Sequence, residues 1–165
     1  VSAKPDDLSI RAARPSDVGL ILEFVRELAA YERLSHLVTA TEPVLTEALF
    51  GPRPGAEVLL AFQHDAPAGF AVFFHNFSTF LASRGLWLED IYVKPQFRGK
   101  GYGRALLLHV ARIAHERGCA RFEWAALDWN TPAVEFYKAL GAKALDDWTI
   151  FRVTGETLTR LASGR

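Results

Sequence analysis

Cysteine is almost missing from this chain: Cys119 is its only one. An intrachain disulfide is excluded, and a thiolate metal centre is disfavoured because it needs several Cys or His ligands close together. His36, His64, His75, His109 and His115 do not make up the lack, since they are scattered without metal-ligand spacing. No metal is therefore expected. Net charge is missing too, with nineteen Lys and Arg set against nineteen Asp and Glu. Without a global basic field, neither nucleic acid nor an anionic membrane is an expected partner. No apolar run approaches the ~20 residues that cross a bilayer. Residues 1–7 are short and polar, unlike a signal peptide, so a cytoplasmic protein with a loose stretch at 1–7 is expected.

What is present is the makeup of a globular protein. Half of the 165 residues are hydrophobic and 23% are charged, enough for a single domain over 8–165 with one sizeable core. Leu8–Ala13 reads as a strand. Pro15-Ser16-Asp17 reads as a helix start with Ser16 as N-cap, and Ile21, Val25 and Leu28 fall on one helical face. A second helix over Thr41–Phe50 is stopped by Gly51. Two strands, Glu57–Gln63 and Ala68–Asn76, are joined by the turn His64-Asp65-Ala66-Pro67. Leu86–Val93 is a further strand, Arg104–Arg117 an apolar helix closed by Gly118, and Arg121–Leu127 a strand. Pro132–Leu140 is a helix with Pro in its first turn; a last strand near Trp148–Val153 and a short helix from Thr154 follow. This order predicts an α/β fold with a mixed sheet and helices on both faces.

The chemistry is concentrated between Val93 and Arg104. Arg98-Gly99-Lys100-Gly101-Tyr102-Gly103 lies between a strand and a helix, where glycines let the backbone turn sharply and approach a ligand. The amides freed at the helix start point with the positive end of the helix dipole, so a phosphate fits there, and Arg98 and Lys100 add charge. The P-loop pattern is absent. The dinucleotide pattern fails as well, because Gly101-x-Gly103 is followed by Ala105-Leu106. A tight turn without a ligand is the bland alternative.

Arg98-x-x-Gly101-x-Gly103, preceded by Leu88-Glu89-Asp90-Ile91-Tyr92-Val93 and followed by Asp128-Trp129-Asn130 and Phe136-Tyr137-Lys138-Ala139-Leu140-Gly141, resembles the acetyl-CoA-binding core of the GNAT acyltransferase superfamily. Glu27-Leu28-Ala29-x-Tyr31-Glu32, Leu88-Glu89-Asp90 and Leu127-Asp128-Trp129-Asn130 resemble its diamine branch, which includes thialysine acetyltransferases. The resemblance implies a single-domain acyl-CoA acyltransferase fold with a mixed, mostly antiparallel sheet. It implies acetyl-CoA as donor, held by Ile91, Tyr92 and Val93 of the strand, by the loop Arg98, Gly99, Lys100, Gly101, Tyr102, Gly103 and Arg104, and by Asn130. The Val93 amide becomes the candidate oxyanion donor.

By the same resemblance Glu89 is the base that takes the amine proton and Tyr137 the acid that returns one to the leaving thiolate. An alkylamine with a pKa near ~10.4 needs such a base at neutral pH. Read without the family, Glu89 is a solvated strand carboxylate and Tyr137 an aromatic capping the core. Tyr31 and Glu32 match substrate-contacting positions, and Glu32, Glu89, Asp90 and Asp128 together favour a cation, with Trp124 and Trp129 near the pocket wall. Phe77-Ser78-Thr79-Phe80-Leu81 lacks the acidic residue of the polyamine enzymes, and the Asp146-Asp147 segment is shorter, which favours a small amine over a long polyamine. A homodimer is implied by the resemblance. The leading expectation is an N-acetyltransferase acting on a primary amine of a small molecule by direct attack in a ternary complex. A protein or peptide N-acetyltransferase, or a non-catalytic acetyl-CoA sensor, are the alternatives.

Overall fold

The computed structural model describes Pro5 and residues 7–164. The expected loose stretch at 1–7 falls largely outside them. The chain forms two compact units that meet at Ala125 and Ala126. The first holds the sheet. Its elements are β1 (Leu8–Ala12), α1 (Val18–Tyr31), α2 (Glu42–Phe50), β2 (Glu57–Gln63), β3 (Ala66–Ser78), β4 (Ser83–Val93), α3 (Tyr102–Glu116) and β5 (Arg121–Trp124). The five strands lie in the order β1-β2-β3-β4-β5, antiparallel except for the parallel β4–β5 pair. The second unit holds α4 (Thr131–Ala139) and α5 (Gly155–Ala162).

Both sheet faces are covered, because four consecutive residues of β2, Val58 to Ala61, are all buried. On one face Val58, Leu60, Phe70 and Tyr92 pack with Ile21, Phe24 and Leu28 of α1. Phe24 is the fully buried centre of that helix, stacked on Phe70 at 5.3 Å. The sequence pattern named Val25 for that stripe, and Val25 only borders the cluster. On the opposite face Leu59 and Phe73 meet His109 and Ile113 of α3 around a cavity of about 340 Å³, lined also by Leu49 and Phe50 of α2. The expected mixed sheet with helices on both faces is what forms.

Several boundaries differ from the sequence reading, each for a local reason. Ser16 is not the cap of α1: a 3-10 turn at Pro15–Asp17 precedes the helix. There the Asp17 carboxylate accepts the Arg14 amide at 2.7 Å and both guanidinium nitrogens of Arg11 at 2.7 and 2.9 Å. Gly51 does end α2, but with extended backbone (φ −70°). Glycine is needed because a Cβ there would lie 2.4 Å from the Glu47 carbonyl oxygen. The β2–β3 turn is only His64-Asp65, with His64 in the left-handed region (φ 53°). Strand β4 starts three residues before Leu86 and α3 two before Arg104, whereas β5 stops at Trp124. Residues 148–153 form no strand. Trp148 is 76% and Phe151 89% exposed, and an apolar segment without a ladder partner has no reason to be a strand.

Candidate active site

β4 and its continuation build the first half of the site. Strand β5 pairs with β4 only from Gly85 to Leu88, so among the described residues no strand pairs with 89–93 of β4 on that side. The register decides which groups the open edge presents. Gly69 faces Val93, and the Lys94 amide donates to the Ala68 carbonyl at 2.9 Å, the bond that flanks this pair. Val93 therefore belongs to a non-hydrogen-bonded pair, and its own N–H and C=O point away from β3. Ile91, two residues back, points the same way. Tyr92 does not: its main chain turns into the β3 ladder opposite Phe70, and its ring lies in the core 6.4 Å from Phe24. Two of the three strand residues singled out by the sequence thus offer backbone groups on the open edge.

The loop after β4 reverses direction through a 3-10 turn at Pro95–Phe97 and two left-handed glycines, Gly99 (φ 76°) and Gly101 (φ 82°). Gly101 is the N-cap of α3, and the Ala105 amide bonds back to its carbonyl at 2.9 Å. The amides of Tyr102, Gly103 and Arg104 form the first turn, where a helix supplies no carbonyl partners. Lys100 extends over the Phe97 ring, its ammonium 5.4 Å from the centroid. Arg98 reaches back to the strand and to the end of α1. Its Nε donates to the Val93 carbonyl at 2.9 Å, and its guanidinium lies 4.6 Å from the Tyr31 ring centre and 5.5 Å from that of Tyr92. Arg98 thus ties the open strand end to the end of α1. Lys94 makes a second tie, pairing with Glu23 at 2.5 Å and Glu27 at 3.3 Å.

Three carboxylates gather beside this edge. In the β3–β4 ladder Val72 faces Asp90 while Phe73 faces Leu88, so Glu89 is an extra residue, a β-bulge. The bulge lets consecutive residues bring their charges together, which regular alternation forbids. The Trp87 indole donates to Glu89 at 2.9 Å, and Glu89 is exposed. Asp90 is more deeply set, on the same face as Tyr92. Burial pushes its carboxyl up to about 6, helped by the charges of Glu89 and Glu32. Burial also raises Glu32, the residue that caps α1 at its C-terminus. The sequence pattern gave Asp90 only a share in a negative field; its tuning toward neutral pH follows from burial at the bulge, which spacing does not reveal. Trp124, the last residue of β5, pairs with Leu88 where the edge opens.

The second unit carries the other named residues. Asn130 precedes α4, and its carbonyl accepts the amides of Ala133 at 3.0 Å and Val134 at 3.1 Å. Tyr137 lies seven residues on, nearly two helical turns, and burial raises its phenol above the ordinary range. Asp128 and Trp129 are exposed in the turn before Asn130. Among the described residues no three His, Cys, Asp or Glu are grouped to hold a metal ion, and no helix is long and apolar enough to cross a membrane.

Residues 22–142, most of the chain and the whole of this constellation, match the acetyltransferase (GNAT) family. The chain belongs to that family. It is 42% identical over 164 residues to the thialysine N-epsilon-acetyltransferase of Mus musculus, covering 93% of this chain and 96% of the relative. It is 33% identical over 194 residues to an L-ornithine N5-acetyltransferase of Arabidopsis thaliana, covering 90% and 85%. A solved structure, an integron cassette protein from the mobile metagenome of V. cholerae, matches with a TM-score of 0.76 and 29% identity over 94% of this chain and 98% of that one. The resemblance to the thialysine branch read from Glu27–Glu32, Leu88–Asp90 and Leu127–Asn130 is borne out. The protein is an N-acetyltransferase, and GNAT acetyltransferases use acetyl-CoA as donor.

Proposed function

We propose that this GNAT protein transfers acetyl from acetyl-CoA to the primary amine of a small cationic molecule of the thialysine, ornithine or diamine kind. The observation that carries this reading is the juxtaposition on one strand. The Val93 amide faces an open edge, and Glu89 and Asp90 form an acidic bulge a few residues away, backed by Glu32. The donor side fits the backbone on view. Ile91 and Val93 offer main-chain groups to an amide-bearing arm, as one further strand would. The amides of Gly101 to Arg104, with Lys100, offer donors and charge to a diphosphate. When bound, acetyl-CoA supplies an activated thioester.

The chain's own residues do the rest. The Val93 N–H donates to the carbonyl oxygen as negative charge grows there, an electrostatic contribution worth a few kcal/mol in comparable sites. Glu32, Glu89 and Asp90 attract the ammonium and hold it near the strand. Glu89, the exposed carboxylate, takes the amine proton directly or through a water. Tyr137 protonates the leaving sulfur, and Asn130 binds the donor arm. Both roles rest on the family match of Asn130 and Tyr137. The 8–165 chain works as one domain in this reading, as a homodimer in the cytoplasm.

The test is product analysis by mass spectrometry after incubation with acetyl-CoA and a panel of lysine analogues, ornithine, diamines, polyamines and peptides. Acetylation of the short amines and amino acids is expected. Exclusive acetylation of peptides would replace this reading with a protein acetyltransferase. Tight acetyl-CoA binding with no product from any acceptor would make the protein a sensor.

A further inference from the structure

Beneath the glycine loop, on the side away from the open strand edge, runs a short polar chain that none of the roles above uses. Asp7, just before β1, accepts the Tyr102 hydroxyl at 2.8 Å and the Gln63 side-chain amide at 2.5 Å. Gln63, the last residue of β2, turns its other end to Lys100, whose Nζ lies 3.4 Å from Oε1. Tyr102 is the first residue of α3 and is 1% exposed, with its ring stacked near Phe97. Pro5 sits 3.8 Å from the position a Cβ would take on Gly101. Ahead of β1, Pro5 and Asp7 therefore brace the loop.

The chemistry of the three groups fixes their order. An ionised carboxylate only accepts hydrogen bonds and an ammonium only donates. A Gln between them has one satisfactory orientation: Nε2 toward Asp7, Oε1 toward Lys100. Burial and the Asp7 hydrogen bond raise the Tyr102 phenol to about 12, so it stays a donor to Asp7 at any ordinary pH. The Gln63 and Tyr102 hydrogen bonds hold the Asp7 carboxyl below its usual range, so it stays an acceptor.

We infer that Asp7 is a positioning residue for the donor's diphosphate, acting through Gln63 on Lys100 and through Tyr102 on the first turn of α3. This inference rests on the acetyl-CoA reading of the loop. Asp7→Asn keeps the shape and the acceptor oxygen for Tyr102. Both bonds converge on one oxygen, Oδ2, so Asp7→Asn keeps their geometry and removes the negative charge that strengthens them and polarises Gln63 toward Lys100.

The experiment measures binding to the free protein by calorimetry for acetyl-CoA and by NMR titration for S-acetylpantetheine, which carries the thioester arm without the diphosphate. Asp7→Asn is expected to weaken acetyl-CoA about fivefold to tenfold, the scale of one charge-assisted hydrogen bond, and to leave S-acetylpantetheine unchanged. In a Lys100→Ala background the same substitution is expected to cost less than twofold, because the coupling is lost. Gln63→Met cuts the chain while keeping the Asp7–Tyr102 bond; it is expected to reproduce most of the loss and serves if Asp7→Asn does not fold. Equal losses for both ligands, or the same loss with and without Lys100, would reduce Asp7 to a general structural role and overturn the inference. So would an unchanged acetyl-CoA affinity. Failure of the unaltered protein to bind acetyl-CoA would instead refute the donor reading, a separate result.

Discussion

Asp90 shows how a single carboxylate links stability to function. It titrates near 3.8 in an ordinary setting and about 6 here. Between those values the folded state holds a proton that the unfolded chain has released, so stability falls as pH rises and the penalty is complete above about pH 6. A two-unit displacement corresponds to an upper bound of about 3 kcal/mol. Asp90→Asn is therefore expected to raise stability by about 1–3 kcal/mol at pH 8 and by nothing below about pH 4, read from urea unfolding at the two pH values. In the proposed reaction the same charge serves the amine. In kcat/KM for the amine an acidic limb near pH 6 is expected, and Asp90→Asn should flatten it; an unaltered limb would remove Asp90 from the acceptor site. Tyr137→Phe tests the other end of the chemistry. Turnover should fall at least about a hundredfold with acetyl-CoA affinity kept, since loss of a general acid usually costs 10²–10⁴-fold.

At the level of elements, α1 is the part on which the site leans. It anchors the sheet through Phe24, and its C-terminal end carries Tyr31 and Glu32 to the strand, held there by Arg98 and by Lys94 with Glu23 and Glu27. Phe24→Ala opens a void at the centre of the cluster. It is expected to cost about 3–5 kcal/mol in denaturant unfolding. Arg98→Lys should keep the fold and the charge but weaken the amine, seen as a higher KM for it, because an ammonium does not reproduce the flat contact with Tyr31.

The elements were mostly legible in the residues. The apolar stripe of α1, the β2–β3 hairpin and the glycines before α3 carry local signals of period and backbone conformation. What escaped was set by neighbours. Asp17, not Ser16, directly precedes α1, and its carboxylate goes to the Arg14 amide and to Arg11 of β1, a partner that no local pattern encodes. The bulge at Glu89 is a mismatch between two strands, visible only when Val72 and Phe73 are laid beside it. At the end of α1 the non-glycine Arg33 adopts a left-handed conformation (φ 62°), where sequence rules look for glycine. For the candidate site, the donor loop stood out by its own spacing, while Glu89, Asn130 and Tyr137 were recognisable only through the family pattern. The tuning of Asp90 and the turn of Arg98 toward Tyr31 depend on burial and side-chain direction, which a linear pattern does not carry.

For the whole molecule, the two compact units raise the question of cooperativity. If 8–165 is one domain, calorimetry is expected to give a single transition with equal calorimetric and van't Hoff enthalpies. Excess acetyl-CoA should move that transition upward as one, by mass action. Two separate transitions would make the segment after Ala125 an independent unit. The sheet itself carries a cost that the reading of function explains. Natural sheets cover, twist or charge their unpaired edges, because a bare row of amides and carbonyls recruits other chains. Here the row from Ile91 to Val93 lies where β5 has ended early, and charge at its two ends is its protection. Two acidic side chains stand at its start, and one guanidinium caps its last carbonyl. In the proposed complex the donor arm completes the missing rung. A protein depleted of its donor would then carry a sticky seam, and supply of the thioester would govern its solubility as well as its turnover.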